Sequence, residues 1–328
     1  MTDTTVAAST TRTTRLDMVG TDSLTVELTG IFSVSANAQS VRFNGATDGA
    51  TITNNGTIEN TASGGRAIRF ETSVGTTLAA TIINNGTIQA NDDAIQIQAG
   101  SVVDGQVTVT NSGTITSSTG QAIDFAGGTV DFITSVSNTG NILALVDDGI
   151  RIGGVGDITN GGTINGGSGS DQVAKADGIQ FEDSTSGTVN NTAGLIAGDR
   201  HGINAGEDSD ITVTNAAGAS ITGRNGSGVG SDGTATVTNH GTITGMFTAG
   251  VDVNGPEGEV PDGIDDGDGD GIDIDLMATI INYGTIQGLV PAETAPTACR
   301  IRPRASPPVV GRLPIMKVRR SVVPVSAS

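Results

Sequence analysis

Two groups of residues carry enough reactive chemistry to be weighed first. Residues 257–275 hold Asp262, Asp265, Asp266, Asp268, Asp270, Asp273 and Asp275, separated largely by glycine. Carboxylates on a Gly-rich loop are hard oxygen ligands of the kind Ca2+ accepts, and Asp262, Asp265, Asp266, Asp268 and Asp270 are the candidate ligands. The run lacks the closing Glu of an EF-hand and the tandem nonapeptide of other calcium-binding repeats, so a solvated acidic loop is the stronger reading and calcium the weaker. The second group is Lys175, Asp177, Asp183 and Arg200, with Arg151 upstream and His201 as an available base. A polysaccharide lyase, hydrolase or epimerase would need such residues gathered in one cleft, as paired acids or as a base beside a neutralised carboxylate. A His beside an Arg is ordinarily a surface pair, and no catalytic or cofactor-binding residue is assigned.

The elements that must position these groups are repetitive. Asn54-Asn55-Gly56-Thr57-Ile58 returns as Asn84-Asn85-Gly86-Thr87-Ile88, at Asn111, Asn138 and Asn160, and at Asn239 and Asn282, with versions stretched by one or two residues at Asn191 and Asn215. The glycines at 56, 86, 113, 140, 162, 194, 218, 241 and 284 are spaced by 22 to 43 residues, mostly in the twenties, a solenoid period. Between these copies lies a second phrase: Ala67-Ile68-Arg69-Phe70, Ala94-Ile95-Gln96-Ile97, Ala122-Ile123-Asp124-Phe125, Gly149-Ile150-Arg151-Ile152 and Gly178-Ile179-Gln180-Phe181, with looser versions at Gly202, Gly228, Gly250 and Gly271. Its apolar-polar-apolar alternation is that of a short strand, and no helical period competes with it.

One repeat read through gives a coil. Ile52 points inward between Thr51 and Thr53, Asn-Asn-Gly turns the chain, Ile58 points inward again, and Ile68 and Phe70 line the next wall. So thin a lining is buried only by stacking on the next coil, which yields a parallel β-helix of nine or ten coils. An Asn at the same bend of every coil can bond its counterparts above and below. Asn54, Asn84, Asn111, Asn138, Asn160, Asn239 and Asn282 are therefore assigned to a structural ladder. The glycine beside it supplies a left-handed or tightly packed backbone position.

Composition supports repetition over an ordinary core: 49 Gly stand against 7 Phe, 1 Tyr and no Trp in 328 residues. The single Cys299 excludes an intrachain disulfide framework. A net charge of −19 without basic or aromatic stripes argues against nucleic acid and anionic membrane. The N-terminal residues hold no signal-peptide core, and no apolar run is long enough for a membrane span. The Asn-x-Thr sequons follow from the turn phrase itself. Thr57, Thr87, Thr114, Thr163, Thr242 and Thr285 share one position, but Asn141, Leu195 and Ser220 interrupt it, so recognition of ice or another ordered surface is a remote reading.

The stacked Asn-x-Gly-Thr-Ile phrases, with Gly-Ile-x-Ile or Ala-Ile-x-Phe between them, resemble the passenger regions of bacterial autotransporters and related surface adhesins over about residues 40–290. The resemblance implies an all-β, single-stranded right-handed parallel β-helix with coils of about 22–30 residues. It also implies a cell-surface or extracellular location, and glycans, host matrix or other cells as partners. Such chains carry an export signal and an outer-membrane barrel; neither is visible here. Residues 294–328 hold seven basic residues and no acids, leaving 9 basic and 35 acidic residues, net −26, in 1–293. So abrupt a change is what a truncated or frameshifted passenger would produce. The expected organisation is a Thr-rich cap or disordered segment at 1–39, the β-helix at 40–290 and a disordered basic tail at 291–328. The expected function is that of a structural or adhesive rod without catalysis, with a polysaccharide-active enzyme and a calcium-stabilised or ordered-surface-binding solenoid as alternatives.

Overall fold

A computed structural model describes residues 1–36, 38–71, 73, 75–98, 103–168, 176–246 and 269–289. Short alternating segments cannot form helices that bury one face, and the described residues hold strands and turns only. The strands assemble into three sheets of 11, 11 and 10 members, each joining every third strand of the chain. Among the described residues every strand-to-strand pairing is parallel, so each coil adds a strand to the sheets in turn, and the whole is a right-handed parallel β-solenoid. At the usual strand separation of about 4.8 Å, eleven coils make a rod of roughly 50 Å.

Register follows the repeat phrases. Ile52, Ile82, Val109, Val136, Ile158, Val189, Val213 and Val237 stack along the first sheet. Ile58, Ile88, Ile115, Ile142, Ile164, Ile196, Ile221 and Ile243 stack along the second, all without solvent exposure. The third sheet supplies Ile68, Ile95, Ile123, Ile150, Ile179 and Ile203. The scarce aromatics concentrate there: Phe43 stacks on Phe70 with ring centres 4.4 Å apart, and Phe125 meets Phe70 edge-on at 6.2 Å.

The solenoid begins earlier than residue 40. Strands Asp3–Val6, Thr11–Arg12 and Leu16–Gly20 form a first coil, and Ser23–Val26 and Ile31–Val34 belong to a second. These pair in register with Ala50–Asn54 and Thr57–Asn60. Where a Thr-rich cap or disordered segment was expected at 1–39, the described residues form coils of the solenoid: Leu24, Phe32 and Met18 fill the same inward columns as later isoleucines, and Val26 stands where later coils have Asn. Strands run to Leu289, giving eleven coils, one or two more than expected. The tail expected at 291–328 lies outside the described residues.

The turn glycines are required by close approach. A Cβ on Gly113 would lie 2.0 Å from the carbonyl oxygen of Gly86, and one on Gly140 would lie 2.1 Å from that of Gly113. Gly218 is the exception, with φ +83°; Ala219 takes the column position instead, since Gly241 abuts its carbonyl.

Candidate functional site

Two columns of polar side chains run along the rod. The first is the asparagine column, which sits where the first-sheet strand turns into the second. Nine asparagines share it: Asn54, Asn84, Asn111, Asn138, Asn160, Asn191, Asn215, Asn239 and Asn282. Each Nδ2 group from Asn54 to Asn239 donates to the Oδ1 of the next Asn at 2.7 to 3.0 Å. The same Nδ2 also donates to a backbone carbonyl one coil on, such as Thr87, Thr114 or Thr163. At Asn54, Asn160, Asn239 and Asn282 the Oδ1 accepts the N–H of the turn glycine as well. Asn191 and Asn215 enter the column because their extra turn residues follow the Asn and leave its register unchanged.

The second column lies where the second-sheet strand turns into the third. Asp93, Gln121, Asp148, Asp177, His201 and Ser227 each stand two residues before the first apolar residue of the third-sheet strand. Here the side chain of one coil caps the backbone of the next. Asp93 accepts the N–H of Gln121 at 2.9 Å, Asp148 that of Asp177 at 2.7 Å, Asp177 that of His201 at 3.0 Å, and His201 Nδ1 that of Ser227 at 2.9 Å. A buried carboxylate must also be neutralised or paired. Arg200 donates to both oxygens of Asp177, at 3.1 and 2.6 Å, and Arg66 reaches Asp92 at 2.6 Å and Asp93 at 3.1 Å.

Burial governs the acidity of this corner. It pushes the Asp93 carboxyl up to about 6, helped by the neighbouring Asp124 and Asp92 charges. Burial also raises Asp124, and it raises Asp148 far above the ordinary range together with the charge of Asp177. Asp177, for its part, is paired with Arg200. For Arg200, burial works against the charge, but Asp177 outweighs it and the guanidinium is held more firmly protonated than usual.

The sequence-level assembly around Lys175 does not come together as one group. Asp177, Arg200 and His201 meet at the corner just described. Arg151 pairs instead with Glu182 on the outer face of the third sheet, and Asp183 accepts the N–H of Glu207 at 3.0 Å in the following turn. Lys175 lies outside the described residues. Two neighbouring carboxyls, Asp148 raised by burial and Asp177 paired with Arg200, are the kind of pair that hydrolysis uses. Yet Asp177 is fully buried, with both oxygens occupied, so the pair caps backbone. Sequence reasoning missed Asp93 and Asp148, although their fixed place two residues before the strand isoleucine was a usable signal.

Of the proposed calcium ligands, Asp262, Asp265, Asp266 and Asp268 lie outside the described residues. Asp270 continues the second column, its carbonyl accepting the N–H of Gly228 at 3.0 Å. Among the described residues no three His, Cys, Asp or Glu side chains are arranged to hold a metal ion, and no helix is long and apolar enough to cross a membrane. A shallow depression of about 240 Å³ on the same corner is lined by Asn60, Thr61, Gln89, Asn91, Thr116 and Ser118. These side chains are uncharged donors and acceptors.

No protein-family model, curated protein or solved structure matches the chain. A structural β-solenoid scaffold is the functional statement its geometry carries.

Proposed function

We propose that this chain is a secreted or surface-exposed rod, a structural and adhesive scaffold of the autotransporter-passenger type, without catalysis of its own. The observation that carries the reading is the buried asparagine column, continuous over nine coils, which gives the rod a uniform corner satisfied by its own side chains. The carboxyls of the second corner, Asp93, Asp148 and Asp177, are buried and each caps the backbone N–H of the next coil, which turns them inward to structure rather than outward to a substrate. Glycans are the partner class that fits the depression between Asn60 and Ser118, because amides and hydroxyls match sugar hydroxyls without requiring charge.

The experiment is surface labelling of intact native cells with a membrane-impermeant reagent, followed by binding of the purified chain to immobilised glycans and matrix. Labelling of the chain together with saturable binding that Thr116→Arg abolishes is the expected result. Protection on intact cells, with labelling only after lysis, would overturn the surface reading. Turnover of a polysaccharide by the purified chain would overturn the non-catalytic one.

A further inference from the structure

The scarce aromatic rings divide sharply by exposure. The six described phenylalanines have no exposure at all. Tyr283, the one tyrosine, is 70% exposed and stacks on the exposed His240 of the coil before, with ring centres 4.7 Å apart and planes 17° from parallel. Rings at the surface add nothing to the core, and they are enriched where proteins bind other molecules. The pair also sits on a corner without charge. His240 and Tyr283 each follow a column asparagine. In all nine coils from Asn54 to Asn282, the residue before that asparagine, the residue after it and the first residue of the second-sheet strand are neither acidic, Lys nor Arg. Charged residues make up 16% of the chain, so three such columns set this corner apart. The third sheet, by contrast, places Asp17, Arg42, Arg69, Asp124 and Arg151 in one column. The polar groups of the uncharged corner are held in line: Asn85 Nδ2 donates to Asn55 Oδ1, and Ser112 Oγ donates to Asn85 Oδ1, both at 2.8 Å.

We propose that this corner binds a linear neutral glycan running along the rod axis, with one sugar ring against the His240–Tyr283 pair and its neighbours on the uncharged amides and hydroxyls toward the amino end. The site rests on the reading of the chain as a glycan-binding rod and adds a second contact to it. Charge selects the ligand class. Residues 1–293 carry a net −26, which repels an anionic glycan and draws a cationic polymer to the carboxylates of the other faces. A neutral polyhydroxyl chain gains nothing by stripping water from carboxylates, so it is best held where amides, hydroxyls and an aromatic ring occur together. Tyr283 offers apolar area on its ring and a hydroxyl at its edge, which matches the C–H face and rim hydroxyls of a sugar. At about 4.8 Å per coil, the depression at Gln89 and Thr116 lies roughly 30 Å away along the axis. A polymer reaches both contacts, whereas a short oligosaccharide reaches only one.

Because Tyr283 is the one tyrosine and the chain has no Trp, the intrinsic emission of the unmodified full-length protein reports this site directly. Titration with cellotetraose should change that emission saturably, more tightly than cellobiose does, and with little dependence on salt. His240→Ala should weaken the tetrasaccharide at least about fivefold, and so should Thr242→Glu, which sets a carboxylate on the uncharged corner. Thr212→Glu, on the outer face of the first sheet, should leave it unchanged. Tyr283→Ala should weaken binding to immobilised cellulose by a similar factor. Circular dichroism of each variant verifies that the rod is folded. A tyrosine emission that cellotetraose does not alter would overturn the site, as would polymer binding that Tyr283→Ala leaves at full strength; if the chain still binds an immobilised glycan, the glycan reading stands. Tighter binding of an anionic glycan such as heparin would overturn the neutral ligand class. Absence of binding to any glycan would overturn the site and the glycan reading together.

Discussion

The two ends of the solenoid are built from different residues although they close the same fold. At the amino end the first coil departs from the repeat: Thr4 stands in register with Leu24 and Ile52, and Arg12 with Phe32 and Ile58. The Arg12 guanidinium lies over the Phe32 ring, 5.3 Å from its centre, and donates to the carbonyls of Thr14 at 2.9 Å and Arg15 at 3.4 Å. Phe32 beneath it has no exposure. At the carboxyl end the eleventh coil keeps the repeat: Ile280, Asn282 and Ile286 continue the columns of Val237, Asn239 and Ile243, yet Ile281, Tyr283 and Leu289 are 43, 70 and 42% exposed. A stacked architecture needs polar capping at its ends. The first coil is written as an end, whereas the last described coil is written as a middle.

The sharpest way to break that contrast is to hollow out the capped end. Phe32→Ala should cost about 3–5 kcal/mol of local stability in the first two coils, and the corresponding Ile286→Ala about 1–2 kcal/mol, because Ile286 is only partly buried. Native-state hydrogen exchange of the flanking strands measures both. Nearly equal losses would mean that the carboxyl end is as well covered as the amino end.

Next in size is the asparagine column. Asn138→Ala leaves the Nδ2 of Asn111 and the Oδ1 of Asn160 without their partners at 2.8 Å, which should cost about 2–4 kcal/mol in the middle of the rod. Asn282→Ala removes the acceptor of Asn239 and of the exposed Gly284 N–H, at an exposed position, and should cost under about 1 kcal/mol. Urea melts of the two variants compare them directly.

Acidity separates the interior from the capped end by sign. Asp93 has a folded pKa of about 6 against an ordinary 3.8, so its protonated form contributes stability that is complete below the unfolded value and is lost as pH rises through about 6. The contribution is at most about 3 kcal/mol. Asp17 is the reverse. Its hydrogen bond from Arg42 lowers its pKa, and that pairing is present above the ordinary carboxylate value and lost as pH falls through the lowered one. Hydrogen exchange should therefore slow in the Asp93 and Asp124 coils between pH 7.5 and pH 5, and quicken in the first two coils below about pH 4. Asp93→Asn should flatten the first trend and leave the second intact.

The smallest effect belongs to the lid itself. Arg12→Ala should cost about 1 kcal/mol, the worth of a partly exposed cation over an aromatic face, and should be confined to the first coil. Arg12→Lys should recover part of it.

Legibility followed repetition. The inward isoleucines, the glycine corner and the asparagine positions were readable because each recurs at one place in every coil. The first two coils were not, because Val6 and Val26 occupy the column that later holds Asn, and Gly30-Ile31-Phe32 lacks the preceding Asn. What marks them as coils is alternation alone, in Ser23-Leu24-Thr25-Val26 and Ile31-Phe32-Ser33-Val34. The second corner was half legible. Asp177, Arg200 and His201 stood out as reactive residues, but their job became clear only when adjacent coils brought each side chain to the next backbone N–H. Arg151 and Asp183 were grouped with them by nearness in sequence, whereas a coil separates residues a few positions apart onto different faces.

The most direct test of the whole account is side-chain amide exchange of the nine column asparagines, resolved residue by residue. The account predicts slow Nδ2 exchange for all eight donors from Asn54 to Asn239 and fast exchange for Asn282, whose group has no further coil among the described residues to receive it. Uniformly fast exchange, or slow exchange that stops at a coil in the middle of the rod, would contradict a single continuous stack.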